Sequence, residues 1–92
     1  MKALFPLGRI VATAAMLAKI KNDAYYIATC LFRHEHGNWG VLDDEDRAAN
    51  DAAVRHGLRL LSAFPLPNDP DNFWIITEAD RSVTTILLPS DY

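Results

Sequence analysis

The chain has few of the residues and runs that mark secreted or membrane proteins. Its single cysteine, Cys30, cannot form an internal disulfide and fits a reducing compartment. No apolar run reaches the roughly 18 residues that a membrane-spanning helix needs. The apolar start of the chain is interrupted by Pro6, Gly8 and Arg9, which is unlike a signal peptide. We therefore expect a folded protein in the cytoplasm with no membrane association.

Glycine is also scarce, and the four glycines do not form a common phosphate-binding loop. Gly8, Gly37, Gly40 and Gly57 match neither the GxGxxG nor the GxxxxGK(S/T) spacing. Cys30 falls on the apolar face of a predicted helix, which favours a core position over a reactive thiolate. The serines lack the glycine context of a nucleophile elbow. Since no pattern indicates an active site, we expect a non-enzymatic protein without a cofactor.

Two histidines, His34 and His36, form the pattern with the most metal-binding potential. Imidazole is a common metal ligand, and Asp43 or Asp44 could complete the set. On a helix end, however, the His-x-His spacing directs the two rings about 200° apart. The alternative is that His34 ends a helix, with a partly protonated ring near the carbonyl dipole. We favour this alternative, expect no metal site, and interpret His56 in the same way at the end of a later helix.

The first part of the chain predicts a strand followed by two helices. Residues 7–13 are short, β-branched and bounded by proline and glycine, which is typical of a strand. Thr13 is a suitable cap for a helix over residues 14–21, and Asp23 is one for a second helix over residues 24–34. The break between these two helices is left open by the sequence.

A third helix has the clearest signals. Asp43 is a good N-cap, and Asp46, three residues later, resembles a capping box with a shorter acid. Gly57 ends the helix. Three alanines predict a small-residue face for close packing on a sheet: Ala49, Ala52 and Ala53. Two ion pairs are predicted along the helix, Arg47–Asp51 and Asp51–Arg55, each contributing about 0.3 kcal/mol.

After the third helix, the pattern changes from helical to extended. Residues 58–66, 72–79 and 83–89 are strand-like, and the segments between them are rich in turn residues. Adjacent strands should therefore pair antiparallel as a meander. We predict an α+β fold in one domain, residues 1–92, with three helices packed on an antiparallel sheet that includes a possible N-terminal strand.

Charge is distributed unevenly along the chain. Residues 1–33 carry five Lys/Arg against one acid, a balance of +4, whereas residues 34–92 carry four arginines against eleven acids, a balance of −7. Such asymmetry concerns partners rather than fold, and the acidic part argues against direct nucleic-acid binding because phosphates need cations. The carboxylates form either a solvated face or a bound surface that imitates DNA phosphates. An exposed Trp39 would be a further partner anchor, but we predict that it is buried.

Two long blocks resemble a family of small proteins carried on plasmids, integrated elements and phages. The blocks are RHEHGNWGVLDDEDRAANDAAVRHGLRLLSAF, residues 33–64, and FWIITEADRSVTTILLPSDY, residues 73–92. The family's His-x-x-Gly-x-Trp-Gly-x-Leu and Glu-Asp-x-x-x-Asn patterns correspond here to His34, Gly37, Trp39, Gly40, Leu42, Glu45, Asp46 and Asn50. With residues 4–13 the resemblance covers most of the chain, although Asn38 replaces a common Asp and residues 14–32 match poorly.

Members of this family are often labelled plasmid-related proteins or subunits of a type I restriction methylase. The second label does not fit, because the chain lacks a cofactor-binding domain of about 200 residues and an Asn/Asp-Pro-Pro-Tyr/Phe loop. Small proteins from such elements include anti-CRISPR inhibitors, and the sequence is similar to one acting on type I-C Cascade. The resemblance implies an inhibitor in the host bacterial cytoplasm that blocks target DNA by occupying a basic surface of this complex.

The carboxylates expected to contact this partner are Asp44, Glu45, Asp51, Glu78 and Asp80. We expect a monomer that binds protein and does not bind nucleic acid or membrane directly. Two alternatives stay open. One is an accessory or adaptor protein of mobile-element maintenance, which an exposed apolar patch around Trp39 or Trp74 would favour. The other is a small metal-dependent hydrolase that uses His34, His36 and Asp43.

Overall fold

The computed structural model describes residues 2–92, in which helices pack on one sheet. The elements in chain order are β1 (Arg9–Ala12), α1 (Ala14–Lys19), α2 (Ala24–Glu35), α3 (Asp44–His56), β2 (Leu60–Pro65), β3 (Asn72–Thr77), β4 (Val83–Leu87) and a 3-10 helix (Pro89–Asp91). The predicted α+β class is confirmed, and most elements end one or two residues earlier than predicted.

The strands form a sheet in the order β1-β4-β3-β2. β2, β3 and β4 pair antiparallel, as predicted for the meander. β1 instead pairs parallel with β4, with Ile10 beside Thr84, so the prediction of a wholly antiparallel sheet is wrong. The reason is connectivity: the helices and the first part of the meander lie between β1 and β4, so no tight turn reverses the chain between them.

Local capping signals account for the start of α1 and for both ends of α3. Thr13 Oγ1 accepts a hydrogen bond from the Met16 N–H at 3.2 Å, and Asp43 Oδ1 accepts from the Asp46 N–H at 2.8 Å, as predicted. Gly57 ends α3 with a φ of 66°, a left-handed conformation that glycine adopts without a Cβ penalty. Asp23 is the N-cap of α2, but its side chain makes no capping hydrogen bond.

The buried face of α3 differs from the predicted alanine face. Asn50 and Ala53 are buried, whereas Ala49 is exposed and Ala52 is half-buried. The reason is that the Asn50 amide turns inward to bond the backbone of β2. The predicted pairs of Asp51 with Arg47 and Arg55 are also wrong. Asp51 accepts a hydrogen bond from the Trp39 indole, and the Arg47 guanidinium donates to Gly40 O.

Two apolar clusters hold the helices on the sheet. The larger cluster consists of Met16, Ile27, Cys30, Phe64, Leu66, Phe73, Ile75 and Ile86. Cys30 is fully buried in it, as predicted, and burial raises the pKa of its thiol. The smaller cluster consists of Phe5, Trp39, Ala53 and Leu60. Trp39 is only 3% exposed, which confirms the prediction that it belongs to the core.

β2 lies at one edge of the sheet, and Asn50 of α3 covers part of that edge. The Asn50 side chain accepts from the Leu61 N–H at 3.1 Å and donates to the Leu61 C=O at 2.6 Å. One amide thus takes the place of a neighbouring strand at this position. Because its two bonds need one acceptor and one donor, an amide fits where a carboxylate does not.

The next two outward positions of β2 are covered by other groups. The Ala63 N–H donates to Trp39 O at 3.2 Å, and Ala63 O accepts from the Val41 N–H at 2.8 Å. Pro65 has no N–H, and its carbonyl accepts from the Tyr26 hydroxyl at 2.7 Å. An open edge is a template for pairing with another chain, and the edge formed by β2 is closed against it.

Candidate functional site

His34 is part of a buried polar chain between α2 and the sheet. Its Nδ1 is 2.5 Å from Ser62 Oγ, and its Nε2 is 2.9 Å from Thr77 Oγ1. The side chain is fully buried, with the Phe5 and Trp39 rings at centroid separations of 5.2 Å and 5.7 Å. The prediction of a partly protonated ring at a helix end is therefore wrong, because the last turn of α2 faces the sheet and buries this side chain.

The hydrogen bonds of this chain run in one direction and define the tautomer of His34. Thr84 Oγ1 donates to Leu7 O at 2.6 Å, so it accepts from Thr77 Oγ1 at 2.7 Å. Thr77 then accepts from the His34 Nε2–H, which leaves Nδ1 to accept from the Ser62 hydroxyl. A neutral imidazole satisfies every member of the chain. An imidazolium would donate from Nδ1 as well, so the Ser62 hydroxyl would have to accept and its own proton would lose the acceptor that it has in this structure.

Burial lowers the pKa of His34 to about 3, and the positive charge of Arg81 acts in the same direction. The Ser62 hydroxyl beside a neutral imidazole has the composition of a serine–histidine pair. Both side chains are fully buried, so no substrate reaches the hydroxyl in this conformation. We therefore assign this polar chain to the positioning of α2 on the sheet.

The structure does not bring the predicted metal ligands together. The His36 Nδ1–H donates to Phe32 O at 2.7 Å, and the two rings stack at 4.1 Å. Both nitrogens of His34 have partners inside the protein. Across residues 2–92, no three His, Cys, Asp or Glu side chains are grouped so that they could hold a metal ion. His34, His36 and Asp43 are not such a set, so we do not propose the hydrolase.

Asp44 and Glu45 occupy the first turn of α3 and extend into solvent. The Asp44 side chain is fully exposed, and the Arg47 guanidinium is 3.9 Å away from it. Within the described residues, Glu45 forms neither an ion pair nor a hydrogen bond. Negative charge at a helix N-terminus is favourable, so these carboxylates stabilise α3 while remaining accessible to a partner.

Asp51 lies on the same helix and also has a structural partner. Its Oδ1 accepts from the Trp39 Nε1–H at 3.0 Å, which satisfies the polar atom of a buried ring. Asp44 and Asp51 are seven residues apart, close to two full turns, so they lie on one stripe of α3. We define the α3 group as Asp44, Glu45 and Asp51, three exposed carboxylates of one helix, with Arg47 lying between Asp44 and Asp51 on their stripe.

The two remaining predicted carboxylates have partners near the turn between β3 and β4. Glu78 Oε1 is 3.6 Å from Arg59 Nε, and Arg59 also donates to the Tyr92 hydroxyl at 2.6 Å. Asp80 Oδ1 accepts from Ser82 Oγ at 2.6 Å and from the Ser82 N–H at 3.0 Å. These hydrogen bonds, the side-chain one first, lower the pKa of Asp80. Asp80 is therefore also a turn-forming residue.

Arg81, which the sequence did not single out, fixes the position of this turn. Its guanidinium donates to Leu58 O at 2.6 Å and to Ala53 O and Glu78 O, each at 3.1 Å. These contacts lie at the C-terminal end of α3, where a cation is favourable. Its φ of 61° is left-handed, a strained conformation for a non-glycine residue that the three bonds hold. The sequence of the turn carries no signal for partners so far along the chain.

The five predicted carboxylates are divided between two places. The α3 group begins at the N-terminal end of the helix, and Arg81 places the turn with Asp80 at the other end. With 13 residues, α3 is about 20 Å long, so Asp44 and Glu45 are far from this turn, whereas Asp51 lies only two residues before Ala53, which Arg81 contacts. Glu78 follows Thr77, which points to the helices, and its own side chain therefore points to the other face of the sheet. The α3 group therefore holds three of the five predicted carboxylates on a single helix.

Two surface grooves flank these residues. A groove of about 190 Å³ lies between α3 and β2, with Leu42, Ala49 and Leu61 as apolar walls and Asp46 beside them. A groove of about 440 Å³ lies near α1, with apolar walls from Leu66, Trp74, Leu88 and Pro89. The smaller groove lies beside Glu45, which precedes Ala49 by one helical turn, whereas Asp44 and Asp51 lie on the other flank of α3. The larger groove is separate from all three.

Among residues 2–92, none of the helices combines the length and the apolar character needed to cross a membrane.

Comparisons with known proteins do not extend this description. No protein-family model matches the chain, and neither curated proteins nor solved structures include a significant match. The resemblance to the family of mobile-element proteins therefore stays a prediction.

Proposed function

We propose that this protein is a non-enzymatic inhibitor from a phage or other mobile element, which binds a type I-C Cascade complex and blocks its binding of target DNA. The observation that carries the proposal is the exposed α3 group, Asp44, Glu45 and Asp51, within a part of the chain whose charge balance is −7. The choice of partner is supported by the resemblance of residues 33–64 and 73–92 to the mobile-element family.

The α3 group is suited to a basic partner because all three of its residues are exposed, although Arg47 lies 3.9 Å from Asp44 and Asp51 accepts the Trp39 hydrogen bond. Asp44 is fully exposed, and Glu45 has no partner within residues 2–92. One helical turn from Glu45, the smaller groove offers apolar walls beside the carboxylate of Asp46. A lysine or arginine of the partner can lay its methylene groups on these walls and direct its charged head towards Asp46 and Glu45.

Occupation of a basic surface explains inhibition without catalysis. A complex that binds DNA contacts the phosphates through lysine and arginine side chains. An acidic protein that binds those side chains first leaves fewer cations for DNA and occupies the space that DNA needs. Attraction between the two charged surfaces speeds association, and added salt weakens it. We therefore expect inhibition to weaken markedly as the salt concentration rises. We expect the loss of any single contact to have a smaller effect.

A charge-neutralising variant tests the surface assignment. The variant combines Asp44→Asn, Glu45→Gln and Asp51→Asn, because an amide at position 51 still accepts the Trp39 hydrogen bond. The matched control combines Asp23→Asn, Glu35→Gln and Asp71→Asn, which removes the same number of charges outside the α3 group. Thermal melts establish that both variants fold.

The readout is the dissociation constant for immobilised type I-C Cascade, measured by interferometry at low salt. We expect the α3 variant to bind at least ten-fold more weakly than the wild type and the control to change less than three-fold. Equal weakening in both variants would show that total charge, rather than the α3 group, determines binding. No binding by the wild-type protein would refute the proposed function.

The adaptor alternative has one observation in its favour. Trp74 is half-buried and contributes to the larger groove, which has the apolar walls that such a partner would use. Trp39 is buried and does not contribute. If the protein is an adaptor, Trp74→Ala should abolish capture of another protein encoded by the same element. Capture that persists in this variant would exclude the groove as the adaptor site.

A further inference from the structure

β1 forms the second edge of the sheet, and its outward backbone groups are open. The Arg9 N–H donates to Ser82 O at 3.0 Å, and the Thr13 N–H donates to Ile86 O at 3.1 Å, both on the β4 side. Since bonding alternates along a strand, the N–H and C=O groups of Ile10 and Ala12 point away from β4. No helix or loop within residues 2–92 pairs with them.

The β2 edge of the sheet is covered, whereas the β1 edge is not. At β2, Asn50, the segment from Trp39 to Val41, and Tyr26 cover successive outward positions. β1 has no such cover, no proline and no inward-pointing charge, and its protections are limited to its length of four residues and the charge of Arg9 at one end. The Ile10 side chain is also 49% exposed, so an apolar surface accompanies the open backbone groups.

We propose that β1 pairs with β1 of a second copy of this chain, antiparallel about a twofold axis at Val11. In this register Ile10 of each copy lies opposite Ala12 of the other, and the two pairs exchange four hydrogen bonds. A large side chain meets a small one at each pair, and Arg9 lies opposite Thr13, so no like charges face each other. A strand that is compatible with itself in size and charge favours a second copy over an unrelated strand.

The pairing joins two four-stranded sheets into one continuous sheet and leaves both α3 groups free, because α3 packs at the β2 edge. The dimer and the proposed function are therefore independent of each other. The contact is short, so we expect a dimer that dissociates on dilution. This dimer differs from the monomer that the sequence predicted, because a sequence does not show whether the edge of a sheet is open.

Sedimentation velocity over a concentration series from 1 μM to 1 mM tests the pairing. Ile10→Pro removes one outward N–H per copy but none of the bonds to β4, and Ile10→Lys keeps the backbone donors while placing two like charges near the axis. Ile10→Val is the conservative control. We expect the wild type and Ile10→Val to form dimers, and the proline and lysine variants to dissociate at least ten-fold more readily with unchanged melting temperatures.

A wild type that stays monomeric up to 1 mM would overturn the proposal, even if an unrelated strand binds the same edge. A dimer that persists in both Ile10→Pro and Ile10→Lys would overturn it too, because the interface would then lie elsewhere. If the proline variant does not fold, the lysine variant carries the test, since its exposed side chain leaves the backbone of β1 intact.

Discussion

Mild acid should destabilise the protein through His34. The pKa of this side chain is about 3 in the folded protein and about 6.5 in an unfolded chain. Above pH 6.5 the site is neutral in both states and adds no pH dependence. Below pH 6.5 the unfolded chain takes up a proton that the folded protein does not, so the free energy of unfolding decreases until about pH 3. The expected loss is about 2 kcal/mol between pH 7 and pH 5, and about 3 kcal/mol by pH 4.

Carboxylates do not obscure this effect at the upper end of the range. Hydrogen bonds from Lys19 and from Ser82 lower the pKa values of Asp69 and Asp80 from the ordinary 3.8. Their stabilising contribution is present above pH 3.8 and is lost as the pH falls from there through the lower folded values. The interval from pH 7 to pH 5 therefore reports mainly on His34.

Urea unfolding at pH 7, 6 and 5 measures the effect, with tryptophan fluorescence as the signal because Trp39 lies against His34. His34→Gln removes the titrating group, so its stability should be lower at pH 7 and nearly constant down to pH 5. The control His56→Gln, at the exposed end of α3, should keep the wild-type dependence on pH. A wild-type stability that does not change between pH 7 and pH 5 would refute the neutral, buried assignment of His34.

Three further predictions concern the contacts that place α3 and its neighbouring loops. Asn50→Ala should lower the free energy of unfolding by about 2 kcal/mol and Asn50→Asp by about 3 kcal/mol, because a carboxylate cannot donate to Leu61 O. Urea titrations check the order, and an aspartate variant as stable as the wild type would contradict it. Gly40→Ala should cost at least about 3 kcal/mol, since its φ is 79° and a Cβ would lie 1.8 Å from Ala63 O. Gly57→Ala is the control, because its φ is also left-handed but nothing lies within 4 Å of an added Cβ, and it should cost about 1 kcal/mol. Equal melting temperatures for the two variants would be inconsistent with this geometry. Arg81→Ala should cost about 2 kcal/mol through the loss of its bonds to backbone carbonyls, and Arg81→Lys should recover only part of this. Chemical denaturation of both Arg81 variants tests this, and an alanine variant within about 0.5 kcal/mol of the wild type would show that the turn is held by other contacts.

Features that depend on neighbouring residues were predictable from the sequence, whereas those that depend on distant partners were not. Thr13, Asp43 and Gly57 act within one helical turn, so their caps follow from residue type and spacing. The direction of β1 depends on the whole chain between it and β4. The role of Asn50 depends on Leu61, eleven positions later, and a polar residue between Ala49 and Asp51 gave no sign of it.

The candidate site shows the same limit. The exposure of Asp44 and Glu45 follows from their place in the first turn of an amphipathic helix. Their separation from Asp80 follows from the contacts of Arg81 with α3, which no local pattern encodes. Likewise, His34 is neutral because burial against the sheet, and then the charge of Arg81, lower its pKa, and both depend on residues far along the chain.

The residues that carry the family resemblance include several that build the loop between α2 and α3. His34 bonds the sheet, Trp39 fills the smaller core cluster, Gly40 approaches Ala63, and Asn50 covers β2. A pattern made of these residues specifies the packing of the loop and of α3 against the sheet. Glu45 belongs both to this pattern and to the α3 group, and Asp51 bonds Trp39, so the resemblance and the surface overlap in these residues.

A gel-shift competition tests the proposed function most directly. Type I-C Cascade is mixed with labelled target DNA and increasing amounts of this protein, at two salt concentrations, with the Asp44→Asn, Glu45→Gln, Asp51→Asn variant in parallel. We predict that the wild-type protein abolishes the shifted band near a stoichiometric amount, that higher salt restores the band, and that the variant leaves it in place. A band that persists at a large excess of the wild-type protein would contradict the proposal that it prevents DNA binding.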